Sequence, residues 1–256
     1  DEVYQDIYAL TKRVKEAKLN KEVVSIAYDG NVVNVWETFD KENLAIDLGS
    51  DQSSLHNPWA GGYYPVGLSY EEANEMMANH PAKFKEEVQK SLRRHAAAIN
   101  KHTAKGTYFF DYGNAFLLEA SRAGADVLDH QNPMRDFKYP SYVQDIMGPM
   151  CFDYGFGPFR WVCTSANPDD LLLTDQIAAQ VLSDLIETTD NMKTKQQYMD
   201  NLKWITEADQ HKLVVGSQAR ILYSDAIGRM SIAMEFNKAI RNEFITAPIV
   251  LSRDHH

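Results

Sequence analysis

The chain has 256 residues, of which 44% are hydrophobic and 24% charged, with a formal net charge of −10. This balance excludes a disordered chain, and the acidic charge argues against nucleic-acid binding, which needs clustered Lys and Arg. The densest basic run, Lys90–His95, shares its helix with Glu86 and Glu87 and is read as a solvated face. Cys151 and Cys163 form neither a disulfide framework nor a zinc pattern, and no apolar run is long enough to span a membrane. We therefore expect a cytoplasmic globular protein that holds no metal and binds neither nucleic acid nor membrane.

Apolar periodicity in the first half of the chain predicts helices and strands in alternation. Residues 23–27 and 44–48 are short apolar runs typical of buried strands, and 32–39 between them has a helical pattern. This β-α-β order implies a parallel sheet and an α/β fold. A first helix is indicated by apolar residues at helical spacing, which are Val3, Ile7, Leu10 and Val14.

A long helix is predicted to open at Pro81, because proline suits the first helical turn, where its missing N–H costs nothing. A strand at 107–110 and a helix from Ala115 follow, and residues 125–140 are loop-like. We therefore place a domain boundary near residue 140. The buried stripe of the long helix is predicted to be Phe84, Val88, Leu92 and Ile99.

Beyond this boundary, helical and strand patterns alternate again. The chain ends directly after its last strand, and we expect that it stops within a fold. The helices are predicted at 175–187, 197–209 and 226–242, and the strands at 219–223 and 249–251.

Polar stretches follow the predicted strands. Asp29-Gly30-Asn31 and Asp111-Tyr112-Gly113-Asn114 combine a glycine that permits a tight turn with an asparagine suited to cap the next helix. The stretch Gly49–Pro58 is polar and has no periodicity. Ligands of open α/β sheets bind beyond the carboxyl ends of the strands, so these loops are candidate sites. A plain surface loop is the alternative for each.

The short motifs of common enzymes are absent from the sequence. There is no serine-nucleophile elbow, P-loop or zinc-protease motif, and the G-x-G at 155–157 is followed by proline instead of completing a dinucleotide fingerprint. Arg160 stands between Phe159 and Trp161 after a Gly-Pro turn, where its planar fork would clamp a small carboxylate. The alternative is a structural arginine that pairs with Asp153 or with a backbone carbonyl.

Five blocks closely resemble the urocanase family, in family order and over nearly the whole chain. They are Asp-Gln-Ser-Ser-Leu-His at 51–56, Phe-Asp-Tyr-Gly-Asn at 110–114, and the segments 139–151, 157–161 and 252–255. The resemblance implies a partial Rossmann-like, parallel-sheet NAD-binding domain at 1–140, followed by part of an α/β core domain at 141–256. It also implies that the family's glycine-rich, pyrophosphate-binding turn lies upstream of this chain.

The family's NAD contacts, carried over by position, fall on the polar strand-end loops and on the segment after the Gly-Gly pair. Only the resemblance names the ligand, although the two lines of argument agree in position. The implied contacts are Asn31, Val32, Gln52, Ser53, Ser54, Leu55, His56, Tyr63, Tyr64 and Tyr112.

Two catalytic residues are implied by the resemblance. Arg160 would bind the propenoate carboxylate of urocanate, and Asp254 would be an acid or base near the imidazole ring. A helix cap or a partner of Arg253 is the alternative for Asp254. Bacterial members of the family have a cysteine at the position of Leu222, which cannot act as a nucleophile. We expect that no thiol is needed, because the NAD⁺ ring is itself the electrophile, and that Cys151 is a packing cysteine.

The activity implied by the resemblance is addition of water to urocanate, which gives 4-imidazolone-5-propanoate in histidine degradation. The family implies a homodimer with tightly bound NAD⁺ that is not reduced overall, so that the cofactor supplies the electronics and the protein supplies position and charge. Two alternatives remain. One is an NAD-dependent dehydrogenase, which would form NADH, and the other is a non-catalytic fragment of a urocanase.

Overall fold

A computed structural model describes residues 2–130, 136–210 and 218–253 of the chain. Its contacts divide the chain into two compact units, Asp1–Asp145 (unit 1) and Ile146–His256 (unit 2). The assignment of a cofactor-binding domain and a catalytic core domain to the two parts of the chain stays a prediction.

Unit 1 places short parallel strands among helices. Its strands are β1 (Glu2–Tyr4), β2 (Ile26–Tyr28), β3 (Leu48–Asp51) and β4 (Tyr108–Asp111). Its helices are α1 (Ile7–Asn20), α2 (Val32–Lys41), α3 (Tyr70–Asn79), α4 (Pro81–Ala104) and α5 (Phe116–Arg122), with a 3₁₀ turn at Pro58–Ala60. Strand β1 pairs with β2, and β3 with β4, both in parallel. The parallel α/β architecture predicted for this part of the chain is confirmed.

Some predicted element boundaries in unit 1 are wrong. Val3 belongs to β1 and not to the first helix. The Asp6 side chain accepts hydrogen bonds from the backbone amides of Tyr8 and Ala9, so Asp6 caps α1 and the helix begins after it. The apolar run at 23–27 joins a strand only from Ile26, and the run at 44–48 only at its last residue. An apolar pattern indicates which residues can be buried, whereas a strand begins only where the backbone forms hydrogen bonds with a neighbouring strand.

Helix α4 carries the main core of unit 1. Pro81 occupies its first turn, as predicted, and His95 from the basic run is fully buried instead of solvated. Burial of each large apolar side chain contributes roughly 1.5–3 kcal/mol, so this helix is a firm base for the strands packed beside it. The predicted stripe is confirmed, with 0% exposure at Phe84, Val88, Leu92 and Ile99.

Unit 2 packs helices on an antiparallel sheet. In the described part of the chain its strands are β5 (Gly157–Cys163), β6 (Ala219–Ser224) and β7 (Ile249–Arg253), in the order β6-β5-β7. Its helices are the one-turn α6 (Gly148–Met150), α7 (Pro168–Thr188), α8 (Met192–Glu207) and α9 (Ala226–Arg241). A π-helical turn at Tyr142–Met147 precedes α6, and a 3₁₀ turn at Phe152–Tyr154 follows it.

Strand β5 is the centre of unit 2 and is absent from the predicted elements. Trp161 on this strand is 0% exposed, and its Nε1 donates to Thr174 Oγ1 on α7 at 2.9 Å. The three predicted helices and two predicted strands are confirmed. Helices α7 and α8 both start earlier than expected, because Asn167 caps α7 ahead of Pro168 and Asn191 caps α8.

Candidate functional site

The turn after β2 joins the start of α2 to the segment at residues 63–64. Asn31 Oδ1 accepts a hydrogen bond from the Val33 amide at 3.0 Å, so Asn31 caps α2 as predicted. Asn31 Nδ2 donates to the Tyr64 carbonyl at 2.9 Å. Val32, the first residue of α2, is 40% exposed. Three of the implied cofactor contacts therefore lie together at this turn.

The polar loop after β3 directs its side chains alternately to solvent and to the core. Gln52, Ser54 and His56 are exposed, and Ser53 is half-buried. Leu55 is 1% exposed and packs in the main core of unit 1. The Leu55 side chain is therefore not available to a ligand. It anchors the loop in the core, and the polar residues on either side of it remain at the surface.

Gly62 lets this loop fold against the segment that follows it. A Cβ atom at Gly62 would lie 2.1 Å from the Ser54 carbonyl oxygen and 2.6 Å from that of Asn57. Both are main-chain atoms that cannot turn aside, so a side chain would displace the loop. Tyr63 is 5% exposed and its hydroxyl lies 3.3 Å from His95 Nδ1. The Tyr63 side chain thus belongs to the core, like that of Leu55.

The loop after β4 meets the loop after β3. Asn114 Nδ2 donates to the Gln52 carbonyl at 2.9 Å, and the Tyr112 amide donates to the Asp51 carbonyl at 3.3 Å. The Tyr112 ring is 37% exposed and stacks on Tyr142, with centroids 4.9 Å apart and an interplanar angle of 8°. The two loops therefore form one continuous polar surface with an aromatic platform beside it.

A cavity of about 320 Å³ opens beside the end of β4 within unit 1. Its walls include Gly113, the aromatic residues Phe137 and Tyr139, and the acidic residues Asp136 and Asp145. Ligand pockets span roughly 300–1,000 Å³, so this one suits a single ring or sugar and not a whole dinucleotide.

Two aspartates stand at the ends of β3 and β4. Asp51 and Asp111 are register partners in the parallel pair and are 4% and 7% exposed. Asp51 accepts hydrogen bonds from the Ser53 amide at 2.9 Å and from the Ser53 hydroxyl at 3.0 Å. Burial, together with the nearby charge of Asp111, raises the pKa of Asp51 to about 6 against the opposing effect of the Ser53 bonds. Asp51 thus carries a charge that its surroundings disfavour.

Asn114 does not cap α5, contrary to the prediction. Ala115 precedes the helix in the left-handed conformation, with φ of 67°, and has no side chain that could cap. Asp111 takes this role instead, because it accepts hydrogen bonds from the amides of Gly113 at 2.9 Å and Leu117 at 3.2 Å. Sequence reasoning missed both strand-end aspartates. The available signal was an aspartate directly before each polar loop, at Asp51 and Asp111.

The polar groups of these loops fit a dinucleotide. The exposed side chains of Gln52 and Ser54 can bond to ribose and amide groups, as can the half-buried side chains of Asn31 and Ser53, which also bond within the protein. The Tyr112 ring can stack on a planar base. Because Gly62 has no side chain, its backbone can lie directly against the Ser54 and Asn57 carbonyl groups of the loop. Of the implied contacts, Leu55 and Tyr63 are buried in the core, and half-buried Tyr64 packs against the same core.

Arg160 lies on the central strand of unit 2. Phe159 and Trp161 are 3% and 0% exposed, whereas Arg160 is half-buried. Neighbouring residues of a strand point to opposite faces, so Arg160 is not held between the two aromatic rings as expected. Gly157-Pro158 begins β5 and does not form the expected turn. Asp254, the other implied catalytic residue, lies outside the described residues.

Leu222 and Cys151 line the same apolar cavity in unit 2, which has a volume of about 230 Å³. Leu222 is 1% exposed within β6. The Cys151 thiol donates to Gln197 Oε1 at 3.4 Å, and burial raises its pKa. Cys151 is therefore a protonated packing residue at neutral pH, as predicted, and the sequence did not indicate that it shares a cavity with Leu222.

Among the described residues, His, Cys, Asp and Glu form no group that could hold a metal ion. No helix there combines the length and the apolar character that crossing a bilayer requires.

Comparison with known proteins gives matches along the whole chain. The chain is 55% identical over 260 residues to urocanate hydratase of Mus musculus, and 55% identical over 257 residues to a probable urocanate hydratase of Dictyostelium discoideum. A probable urocanate hydratase of Caenorhabditis elegans is 54% identical over 255 residues. These matches cover 98–100% of this chain, which itself spans 38% of the length of each relative.

Two sequence profiles divide the chain between them. The profile of the urocanase Rossmann-like domain matches residues 1–146, and that of the urocanase C-terminal domain matches residues 149–256. Because the two profiles together cover nearly all of its residues, the chain belongs to the urocanase family.

Proposed function

We propose that this chain is part of a urocanate hydratase, a hydro-lyase that adds water to urocanate and gives 4-imidazolone-5-propanoate in histidine degradation. The observation that carries the proposal is 54–55% identity, over 98–100% of the chain, to proteins named as urocanate hydratases. Because the chain spans 38% of their length, the activity is proposed for the whole protein. A cytoplasmic location and a homodimer are part of the same proposal; the first follows from the sequence composition and the second from the family resemblance.

The loops after β2, β3 and β4 would hold NAD⁺. Their amide, hydroxyl and imidazole groups would bond to the dinucleotide, while the buried side chains of Leu55 and Tyr63 anchor the loop in the core. Bound NAD⁺ would supply a cationic nicotinamide ring that acts as an electrophile toward the substrate. The groups proposed to face the cofactor are Asn31, Val32, Gln52, Ser53, Ser54, His56, Tyr64 and Tyr112.

Arg160 would bind the carboxylate of urocanate, and Asp254 would exchange a proton at the imidazole ring. The position of Arg160 supports this role, because a side chain on the central strand of a sheet is held more firmly than one on a loop. Loss of charge-assisted hydrogen bonds of about 1.5–3 kcal/mol corresponds to a change of roughly 10–150-fold in affinity. Arg160→Ala in the whole protein should raise the KM for urocanate by this factor while NAD⁺ stays bound.

Arg241→Ala is a charge-matched control for this variant, because Arg241 is an exposed residue at the end of α9 in the same unit. We expect it to leave KM unchanged. An unchanged KM in Arg160→Ala would show that Arg160 does not anchor the carboxylate.

Urocanate consumption tests the proposed activity directly. The whole protein should bleach the ultraviolet band of urocanate without any rise in the absorbance of reduced nicotinamide. Formation of NADH would favour the dehydrogenase instead. No loss of urocanate by the whole, NAD⁺-supplied protein would overturn the proposal and leave a non-catalytic member of the family.

A further inference from the structure

Each strand-end aspartate bonds to the loop that follows it. Asp51 accepts both polar hydrogens of Ser53, two residues further on. Asp111 accepts the amides of Gly113 and Leu117, two and six residues further on. Resting on the proposed function, we propose that Asp51 and Asp111 are positioning residues that hold the loops at 52–56 and 112–114 in the conformation that binds the dinucleotide.

The placement of the two aspartates couples the loops to each other. Asp51 and Asp111 are register partners on parallel strands, so their side chains leave the same face of the β3–β4 pair. The loops are also joined directly, because Asn114 donates to the Gln52 carbonyl and the Tyr112 amide to the Asp51 carbonyl. A loop released at one aspartate would therefore disturb its neighbour as well.

The hydrogen-bond chemistry of the two aspartates differs in a way that an experiment can use. Ser53 presents to Asp51 one amide donor and one hydroxyl, and a hydroxyl can donate or accept. Asparagine at position 51 can therefore keep both bonds. Gly113 and Leu117 present only backbone donors to Asp111, so asparagine at position 111, with its one acceptor oxygen, must lose one bond.

The electrostatics of Asp51 fit a role based on hydrogen-bond geometry and not on charge. Burial raises the pKa of this carboxyl to about 6, so the surroundings disfavour the ionised form. The loop needs an acceptor for the Ser53 amide and a hydrogen-bond partner for the Ser53 hydroxyl, and the oxygen and the nitrogen of a neutral asparagine amide supply these two groups. This predicts rescue by asparagine at position 51 and no such rescue at position 111.

The test is the dissociation constant for NAD⁺ of the whole protein, measured by calorimetry. Loss of two hydrogen bonds should weaken binding by about tenfold or more in Asp51→Ala and in Asp111→Ala. The dissociation constant of Asp51→Asn should stay within about threefold of that of the unsubstituted protein, and Asp111→Asn should bind NAD⁺ more weakly than Asp51→Asn.

Asp170→Ala is the matched control, because buried Asp170 in unit 2 also accepts hydrogen bonds from the amide and the hydroxyl of one residue, Thr246. It should lower stability and leave NAD⁺ affinity unchanged.

The outcomes separate this inference from the proposed function. If the unsubstituted protein does not bind NAD⁺, the proposed cofactor is wrong and the inference falls with it. If that protein binds NAD⁺ and both alanine variants bind it equally well, only the inference is wrong. Equal losses in Asp51→Asn and Asp51→Ala would also overturn it, because charge and not geometry would then be responsible. Should the alanine variants fail to fold, the contrast between the two asparagine variants decides alone.

Discussion

Buried carboxylates have different structural roles in the two units. In unit 1, Asp51 and Asp111 bond to residues only two to six positions further along the chain. In unit 2, Asp175 and Asp170 bond to side chains 45 and 76 residues away. A local bond shapes one loop, whereas a long-range bond ties distant elements into the fold. Loss of the local bonds should therefore weaken ligand binding, whereas loss of the long-range bonds should lower stability and leave ligand binding unchanged.

The largest effect is expected at the Arg220–Asp175 pair, which joins β6 to α7. Arg220 is 3% exposed and donates from Nε and Nη2 to the carboxylate at 2.9–3.1 Å. Removal of one partner leaves the other charge buried and unpaired, which costs about 3–5 kcal/mol. Arg220→Ala should lower the free energy of unfolding by this amount, as measured by urea denaturation.

Two further variants sharpen this prediction. Arg220→Met combined with Asp175→Leu removes both charges and should recover most of the lost stability. Lys238→Ala breaks the exposed pair with Glu235 and should change the free energy of unfolding by less than about 0.5 kcal/mol. A small effect of Arg220→Ala would mean that the long-range pair does not hold unit 2 together.

The next largest effect concerns the pH dependence of stability at Asp51. Its pKa of about 6 in the folded protein exceeds the value in an unfolded chain, which is roughly 3.9. The folded state therefore binds more protons between these pH values, so this contribution is present below about pH 4 and is lost as the pH rises through 6. Asp51→Asn removes the titration, and the two stability profiles should diverge by on the order of 2–3 kcal/mol between pH 4 and pH 7. Chemical denaturation across this range measures it, and parallel profiles would contradict it.

The sequence was sufficient for the parts of the fold that depend on apolar periodicity. Helix α4 and its stripe from Phe84 to Ile99 follow the predicted pattern, because a long amphipathic helix needs no knowledge of its partners. Strands were harder to predict, since backbone pairing defines them. Val3 fits a helical spacing but pairs with Ala27, and β5 begins with a Gly-Pro that alone resembles a turn.

The sequence predicted where the candidate site lies in the fold better than it predicted which side chains face a ligand. The polar strand-end loops are at the ends of β2, β3 and β4, where parallel strands place ligand-binding residues. Burial could not be read from the sequence: Leu55 and Tyr63 lie in the core, and Asp111 replaces Asn114 as the group that caps α5. These are consequences of tertiary packing, which positional resemblance does not contain.

Hydrogen–deuterium exchange of the whole protein, with and without NAD⁺, tests the central claim most directly. The claim is that the strand-end loops of unit 1 hold the cofactor and that the long-range bonds of unit 2 serve the fold. NAD⁺ should protect the amides of 52–56 and 112–114 while leaving those of β6 and α7 unchanged. Protection that is absent from both loops, or confined to unit 2, would contradict it.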